Sequence, residues 1–532
     1  MTTQRNLSLS FPGWDSRKQT ATTVELAPDE ILRVAEQLHA AAYAPAEGDT
    51  GEGQDERQPT QQPLDKLVYR GGGGVRDGGR GSHSSSLIAR LKRQSEVTRV
   101  RSFDPLQVRS VGDPTQMNVR GPRRPRHRWA AVILEEDKAK ATEALAPLCA
   151  LRKEQQLAMS SAPSSGLPDG LIVMSRPRSS DPERWAARMS EAAGAPLPDY
   201  LLLVGGPDRF PFDVQAFLDI SKMTGRLDFD GDGDSYWSQC STYAQKVVRF
   251  EKGQSLVEPN ALFYGFGVDS ATATARQDLI GRLLQYVKSE AFPTTDGRTL
   301  LTPIELLDKQ ATSAALRSAL QAKRPALVFT ASHGLEYPQS ASLWGALTDT
   351  RFVGSTGDDP LTAVTIPSDA FAEGSVIVSF ACFSAGVPRR SAMRYLRSGE
   401  DVDIPGAPFV SPLPKRLLGH PRGPVAFLGH VDRATSESFA MLAGETVPAS
   451  FAAFCEDTLG GFGTLGEAMA KFRTQTGEAR EALIKSFPAY DGRPSIASPE
   501  EKIRRWIRYF DAQGYLLLGD PALSIRNASL LR

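Results

Sequence analysis

A histidine and a cysteine in the second half of the chain stand where enzyme chemistry is expected. His333 follows the apolar run Ala326–Thr330, and Cys382 follows the apolar run Ser375–Phe380. Short, continuous apolar runs of this kind are typical of central strands in a parallel sheet, which are buried on both faces. In open α/β sheets, ligands bind just past the carboxyl ends of the strands. The sequence therefore predicts that the two side chains meet at one edge of a sheet.

The residue types at this edge predict nucleophilic catalysis by a thiol. A thiol is a weak nucleophile until its thiolate is favoured, and a nearby histidine can favour it. Gly334 permits close backbone approach, so its N–H and that of Cys382 are candidates to bind an oxyanion. Taken alone, each side chain is better explained as a buried structural residue than as a catalytic one. The order and position of His333 and Cys382 together favour the catalytic interpretation.

Several blocks of the sequence resemble the caspase-fold cysteine peptidases, and most closely their gingipain-like branch. In chain order these blocks are Leu201–Phe212, Gly225–Leu227 followed by Tyr243–Glu251, the stretches around His333 and Cys382, and Tyr515–Arg526. The cysteine lies 49 residues after the histidine, close to the interval in caspases. The resemblance begins at Trp129. It implies a caspase-like three-layer α/β sandwich and peptide hydrolysis by a His333–Cys382 dyad, with no third catalytic residue.

The resemblance also suggests residues for a substrate pocket. Asp213 follows the first block, in the region similar to the gingipain stretch that bears the acidic floor of this pocket. A buried carboxylate there would select arginine or lysine before the scissile bond, although Asp213 could instead cap a turn. Asp432 is a second candidate. His430 ends a predicted strand and is a pocket wall, a rival base or a structural residue. Caspases carry Cys-Arg-Gly at the nucleophile, whereas Phe383 follows Cys382 here, so caspase-like specificity is not implied.

Composition restricts the classes of function. The chain has 62 basic and 62 acidic residues, so its net charge favours neither nucleic acid nor an anionic membrane. Its four cysteines are widely spaced and form no CxxC pair, which argues against a disulfide framework or a zinc module and favours a reducing compartment. The first residues show no secretory signal pattern, and no apolar run is long enough to span a bilayer. These features predict a cytoplasmic protein without a cofactor.

The pattern along the chain predicts three regions. Residues 1–44 form an N-terminal helical segment, residues 45–128 a low-complexity and basic linker that is largely disordered, and residues 129–532 the peptidase domain. From residue 129, strands alternate with helices, which predicts a mainly parallel sheet covered on both faces. The Arg-Gly character of residues 70–86 is better explained as linker than as a direct nucleic-acid contact. The run Arg120–Arg128 is a linker, a processing site or a patch for an anionic partner.

One acidic stretch resembles the start of a calcium loop. Asp228–Asp234 places acidic residues at alternate positions with a glycine near the turn, but Gln239 stands where the bidentate glutamate belongs. An acidic surface loop is the simpler interpretation, and no metal site is predicted. Gly71–Gly74 lacks the Lys-Ser/Thr of a phosphate-binding loop, so nucleotide binding is not expected.

The function expected from the resemblance is a cysteine endopeptidase that acts on a protein or peptide substrate, after a basic residue. A cytosolic protease of this kind should be latent, so an activating partner that binds the N-terminal region is expected. Similar bacterial proteases without secretion signals often act in defence or cell death, and the resemblance allows that role. Two alternatives stay open: a catalytically silent scaffold with the same fold, and a protease active only in complex with a partner protein or nucleic acid.

Overall fold

The computed structural model describes most of the chain from residue 128 onward. The described residues are 128–157, 169–178, 181–194, 196–254, 257–294, 297–334, 345–348, 360–367, 373–389, 391–392, 407–441, 445–461, 463–486 and 499–525. The predicted helical segment 1–44, and all of the predicted linker except residue 128, lie outside them. The first strand begins at Trp129.

A ten-stranded sheet organises the described residues. In chain order the strands are β1 Trp129–Leu134, β2 Leu171–Met174, β3 Tyr200–Val204, β4 Met223–Leu227, β5 Glu258–Gly265, β6 Ala291–Thr294, β7 Gly297–Leu300, β8 Ile304–Leu307, β9 Pro325–Ala331, β10 Val376–Phe380, β11 Gly386–Val387, β12 Phe409–Val410, β13 Ala426–His430 and β14 Tyr515–Gly519. The main sheet has the order β2-β1-β3-β4-β14-β13-β10-β9-β5-β8, while β6–β7 and β11–β12 form separate antiparallel pairs.

Helices connect the strands and flank the sheet. They are α1 Lys138–Leu157, α2 Pro182–Ala193, α3 Phe212–Leu218, α4 Gly233–Glu251, α5 Ser270–Thr274, a π-helical stretch Ala275–Gly281, α6 Arg282–Ser289, α7 Ser313–Lys323, α8 Pro412–Gly419, α9 Ala449–Gly460, α10 Leu465–Ala468, α11 Ala470–Lys485 and α12 Pro499–Gln513. Short 3-10 turns lie at Glu135–Asp137, Asp308–Gln310 and Ser436–Phe439. In the described ranges, every helix is too short or too polar to cross a lipid bilayer.

The sheet is built from two parallel blocks of five strands. Within β2-β1-β3-β4-β14 all neighbours are parallel, and the same holds within β13-β10-β9-β5-β8. The blocks meet in one antiparallel pair, β13 with β14. The carboxyl ends of β9, β10 and β13 therefore share one edge, opposite the edge at which β3 and β4 end. A mainly parallel α/β sheet flanked by helices was expected, and this expectation is confirmed.

Alternate residues of β1 show that the sheet is buried on both faces. Ala131 and Ile133 belong to a core cluster shared with α1 and α4, whereas Ala130 and Val132 belong to another cluster that contains Trp185 of α2. All four side chains are fully buried. Successive side chains of a strand point to opposite faces, so the helices of the two clusters cover opposite faces of this part of the sheet.

A buried charge network fixes the end of β14 against α1. Arg152 of α1 contacts Asp520 at 2.6 Å and Glu251 at 2.7 Å. The indole N–H of Trp129 donates to the same Asp520 carboxylate at 3.0 Å. The side chains of the three charged residues are at most 5% exposed. Because an isolated buried charge is costly, the network stabilises the contact between the start and the end of the described domain.

Candidate active site

Strands β9 and β10 bring His333 and Cys382 to the same edge of the sheet. Ala331 and Phe380 are register partners on these adjacent parallel strands. His333 and Cys382 each follow its strand partner by two residues, and the N–H of Ser332 donates to Phe380 O at 3.1 Å. Adjacent strands are about 4.8 Å apart. The predicted meeting of the two residues at the carboxyl ends of central strands therefore follows from the strand register.

The backbone of Gly334 lies directly against the backbone of Cys382. A methyl group added at Gly334 would lie 1.8 Å from Cys382 O and 2.8 Å from Cys382 N. No side chain fits at these distances, so only glycine allows this approach. The predicted role of the two N–H groups as oxyanion donors stays a prediction.

The backbone after Cys382 is held in an unusual conformation. Phe383 has a φ of 58°, in the left-handed region that bulky residues rarely adopt. Its N–H donates to Asp432 O at 2.7 Å, and its carbonyl accepts the Ser411 hydroxyl at 2.7 Å. The Cys382 side chain is partly exposed, and its Sγ–H donates to Ala434 O at 3.6 Å. Strained positions that the surrounding structure enforces cluster at functional sites, which agrees with a functional thiol here.

Asp269 is a residue of this site that the sequence did not predict. Its carboxylate lies 3.1 Å and 3.3 Å from Nε2 of His333, whose side chain is 6% exposed. Asp269 is also the N-cap of α5, where Oδ1 accepts the N–H groups of Ala271 and Thr272. Such a carboxylate fixes the ring orientation and stabilises an imidazolium. Among the described residues, Nδ1 of His333 has no hydrogen-bond partner, so it is the nitrogen left for proton transfer.

The other three thiols lie in surroundings that disfavour the thiolate. Burial raises the pKa of Cys149 to about 12, with the charges of Asp520 and Asp169 acting in the same direction. Burial also raises the pKa values of Cys240 and Cys455 far above the usual range. Reactivity follows thiolate character and access. Cys382 is therefore the cysteine whose position and exposure suit a nucleophile.

His430 is a structural residue of the buried sheet. It is 0% exposed, its Nε2 lies 2.9 Å from the carbonyl oxygen of Asp511, and its ring meets Tyr515 edge-on. Its Nδ1 accepts the N–H of Asp432 at 3.1 Å. Nε2 must then carry the hydrogen, so the ring is neutral and both nitrogens are occupied. Of the three predicted roles, the general base and the pocket wall do not agree with this position.

Asp432 lies beside the Cys382 segment, and its carboxylate accepts three hydrogen bonds. It accepts hydrogen bonds from the Ser391 hydroxyl at 2.6 Å and from the N–H groups of Ala392 and Arg433 at 2.7 and 2.8 Å. The side chain is buried, and burial raises its pKa against the opposing effect of these bonds. A carboxylate has about four lone-pair positions, so these three bonds leave about one for another donor. Asp432 also supports the Cys382 segment through its carbonyl, which accepts the N–H of Phe383, and its role as a pocket floor stays a prediction.

Asp213 does not have the burial expected of a pocket floor. It lies in the first turn of α3, and its side chain is exposed. The neighbouring Phe212 is the residue of this turn that reaches the Cys382 segment, since a methyl group added at Gly386 would lie 2.5 Å from its ring. The expectation of a buried carboxylate at Asp213 is wrong, because Asp213 lies in the first turn of an amphipathic helix and its polar side chain is on the face exposed to solvent.

The acidic stretch Asp228–Asp234 does not converge on a cation. Asp230 pairs with Lys415 at 2.6 Å and Asp234 with Lys140 at 2.9 Å. Burial raises the pKa of Asp228 to about 6. In the part of the chain that the structure describes, no group of three or more His, Cys, Asp or Glu side chains could hold a metal ion. The stretch agrees with the alternative of an acidic surface loop.

Comparison with known proteins adds little to this geometry. No family model and no curated protein matches the chain. Among solved structures, it is similar to one described as "Structure of Protease", with a TM-score of 0.42 and 15% identity over 77% of this chain and 80% of the other. It is also similar to the Saccharomyces cerevisiae separase–securin complex, with a TM-score of 0.25 and 11% identity over 82% of this chain and 22% of the other. At these values neither likeness carries an argument about function.

Proposed function

We propose that the protein is a cysteine-type peptidase in which Cys382 is the nucleophile and His333 the general acid and base. The observation that supports this most strongly is the convergence at one sheet edge. Cys382, which is partly exposed, and His333 follow register partners on adjacent strands, Nε2 of His333 is bound by the carboxylate of Asp269, and Gly334 lies against the Cys382 backbone. The proposal assigns Cys382, His333 and Asp269 the roles of nucleophile, base and orienter in covalent catalysis.

In the proposed reaction, Nδ1 of His333 takes the proton of the Cys382 thiol, and Sγ attacks the carbonyl carbon of the scissile peptide bond as a thiolate. The carbonyl oxygen becomes an oxyanion, which backbone N–H groups of Gly334 and Cys382 would stabilise. Nδ1–H of His333 then protonates the leaving amine, which leaves a thioester on Cys382. Nδ1 next removes a proton from water, and the resulting hydroxide attacks the thioester and frees the carboxylic acid and the thiol.

A positional set of fluorogenic peptides, varied at the residue before the scissile bond, tests this proposal. Wild-type protein is expected to hydrolyse at least one member, and Cys382→Ala is expected to hydrolyse none while it keeps the wild-type melting temperature. Preference for a basic residue stays a prediction, since Asp213 is exposed and the buried Asp432 already accepts three hydrogen bonds. Hydrolysis by Cys382→Ala at the wild-type rate would contradict the proposal.

Asp269→Asn is expected to lower kcat by about 10²-fold, with a smaller change in KM. The amide keeps the shape of the side chain but loses the charge that stabilises protonated His333, and general acid–base catalysis contributes about 10²–10⁴-fold. Asp278→Asn is the matched control, since Asp278 lies in the adjacent π-helical stretch and pairs only with Arg282 at 3.4 Å among the described residues. Steady-state kinetics on both variants check this. Equal kcat values for the two would show that Asp269 does not act through His333.

A further inference from the structure

A loop after β13 forms part of the surroundings of the nucleophile. Residues 431–439, here called the wall loop, contain Ala434, whose carbonyl accepts Sγ–H of Cys382 at 3.6 Å. The carbonyl of Asp432 in the same loop accepts the N–H of Phe383 at 2.7 Å. The loop thus contacts both the nucleophile and the residue after it. A displacement of the loop would change the surface that a substrate meets beside Cys382.

Asp511, near the end of α12, binds the wall loop through its carboxylate, which accepts two hydrogen bonds from the loop. One carboxylate oxygen accepts the N–H of Thr435 at 2.7 Å, and the other accepts the hydroxyl of Ser438 at 2.6 Å. Its backbone oxygen accepts Nε2–H of His430 at 2.9 Å. Asp511 is 0% exposed. A single buried side chain therefore fixes the loop at two points, one of which is the residue directly after Ala434.

We propose that Asp511 is a positioning residue for the Cys382 site, because its ionised carboxylate holds the wall loop against the nucleophile. The inference rests on the proposed function, in which this loop borders the substrate. Asp511 acts through Thr435 and Ser438 and does not touch the thiol. Its two carboxylate oxygens accept hydrogen bonds from the N–H of Thr435 and the hydroxyl of Ser438. Hydrogen bonds accepted by an ionised carboxylate are stronger than those accepted by a neutral carboxyl group. Protonation would place an O–H against one of the two donors and loosen the loop.

The charged and titratable groups around Asp511 come from four elements. His430 faces it from β13, Tyr515 from β14 donates to Ser438 Oγ at 2.8 Å, and Glu437 in the wall loop pairs with Arg504 of α12 at 3.0 Å. Burial raises the pKa of Asp511 from 3.8 to about 6, against the opposing effect of its hydrogen bonds to Ser438 and Thr435.

The raised pKa of Asp511 gives stability and activity opposite dependences on pH. A carboxyl whose pKa is raised on folding contributes stability that is fully present below its unfolded value of 3.8 and is lost as pH rises through about 6. Activity is expected to increase with pH, since the ionised form of Asp511 holds the wall loop. We therefore expect kcat/KM to rise through pH about 6 while this contribution to folding stability falls.

Asp511→Asn tests the proposal, with Asp219→Asn as a matched control. Asp219 also accepts a backbone N–H, from Thr224 at 3.1 Å, and burial raises its pKa to about 7, but it lies at the end of α3 in the other block of the sheet. Asp511→Asn is expected to lower kcat/KM on a peptide substrate by at least about tenfold and to remove the rise near pH 6. Asp219→Asn should keep the wild-type pH profile.

Amide hydrogen exchange decides the positioning role without relying on catalysis. In Asp511→Asn, amides of the wall loop should exchange faster than in wild type, and in Asp219→Asn they should not. If no peptide is hydrolysed even by wild type, the proposed function fails, and exchange still decides whether Asp511 holds the loop. Should Asp511→Asn not fold, Ser438→Ala, which removes one of the two side-chain bonds, should show faster exchange in the same amides. Unchanged exchange in a folded variant, or a wild-type pH profile in active Asp511→Asn, overturns the proposal.

Discussion

Replacing Gly334 with alanine is expected to lower peptide hydrolysis by at least about 10²-fold, because the new methyl group would lie 1.8 Å from Cys382 O. The Cys382 atoms that the methyl group would meet are all backbone, so relief requires the ends of β9 and β10 to move apart. Misplacement of catalytic groups by about 1 Å can cost about 10²-fold in rate. Overpacking of this kind also costs about 1–3 kcal/mol of stability. Steady-state kinetics and urea unfolding measure the two effects.

Gly477→Ala is the matched control for this substitution. Gly477 lies inside α11, and a methyl group there meets nothing within 4 Å. Alanine in a helix interior is favoured over glycine by up to about 1 kcal/mol, so this variant should be slightly more stable and fully active. If Gly334→Ala proved as active as Gly477→Ala, the close approach of Gly334 to Cys382 would not be part of the site.

Arg152→Met is expected to lower the free energy of unfolding by about 3–5 kcal/mol, the usual cost of breaking a buried ion pair by removing one partner. Methionine roughly keeps the apolar length of the side chain, but it leaves the carboxylates of Asp520 and Glu251 without the cation that lies 2.6 and 2.7 Å from them. Because Asp520 directly follows β14, we expect the loss of its ion pair with Arg152 to destabilise the whole sheet. Urea denaturation at pH 7 measures it.

Arg188→Met is the control for the loss of an arginine. Arg188 pairs with Glu191 at 2.9 Å, and the two side chains are 49% and 65% exposed. Exposed pairs of this kind contribute about 0–1 kcal/mol, so its stability should be close to that of wild type. If Arg152→Met were as stable as Arg188→Met, the buried network would not stabilise the domain as argued.

The central strands were predictable because their signal is local. The runs before His333 and Cys382 are short and apolar, and they became β9 and β10 with nearly the predicted bounds. Strand β4 carried no such signal, since Met223–Leu227 contains a glycine and an arginine. Arg226 is fully buried there because its guanidinium donates to Gln215 Oε1 and to the carbonyls of Gly205 and Phe210. These partners are supplied by the tertiary fold, so a local pattern cannot show them.

The antiparallel junction between the two blocks was likewise beyond a local pattern. The alternation of strands and helices predicted a mainly parallel sheet, but nothing near Tyr515–Gly519 indicates that β14 lies between β4 and the antiparallel β13. Strand order depends on contacts between distant segments. One trace is visible in hindsight: a methyl group at Gly225 would lie 2.1 Å from Gly519 O, so this glycine permits the pairing of β4 with β14.

The placement of His333 and Cys382 was predictable, but that of the residues supporting them was not. Asp269 follows the apolar run Ala261–Val268, and the Asp-Ser-Ala-Thr sequence that begins there is typical of a helix N-cap. That signal could have placed it at the same sheet edge as His333. The number of hydrogen bonds that the Asp432 carboxylate can still accept depends on the partners Ser391 and Ala392. These two residues lie 41 and 40 positions away in the chain, so the sequence alone does not show their bonds.

The most direct test of the central claim is the mass of the protein trapped during turnover of a slowly deacylating peptide ester. Rapid acid quenching followed by digestion and mass spectrometry locates any acyl group. We expect one acyl group per chain, located on the peptide that contains Cys382. The acyl group should be absent in Cys382→Ala and should form much more slowly in His333→Ala. An acyl group on another residue, or ester hydrolysis that continues unchanged in Cys382→Ala, would contradict the central claim.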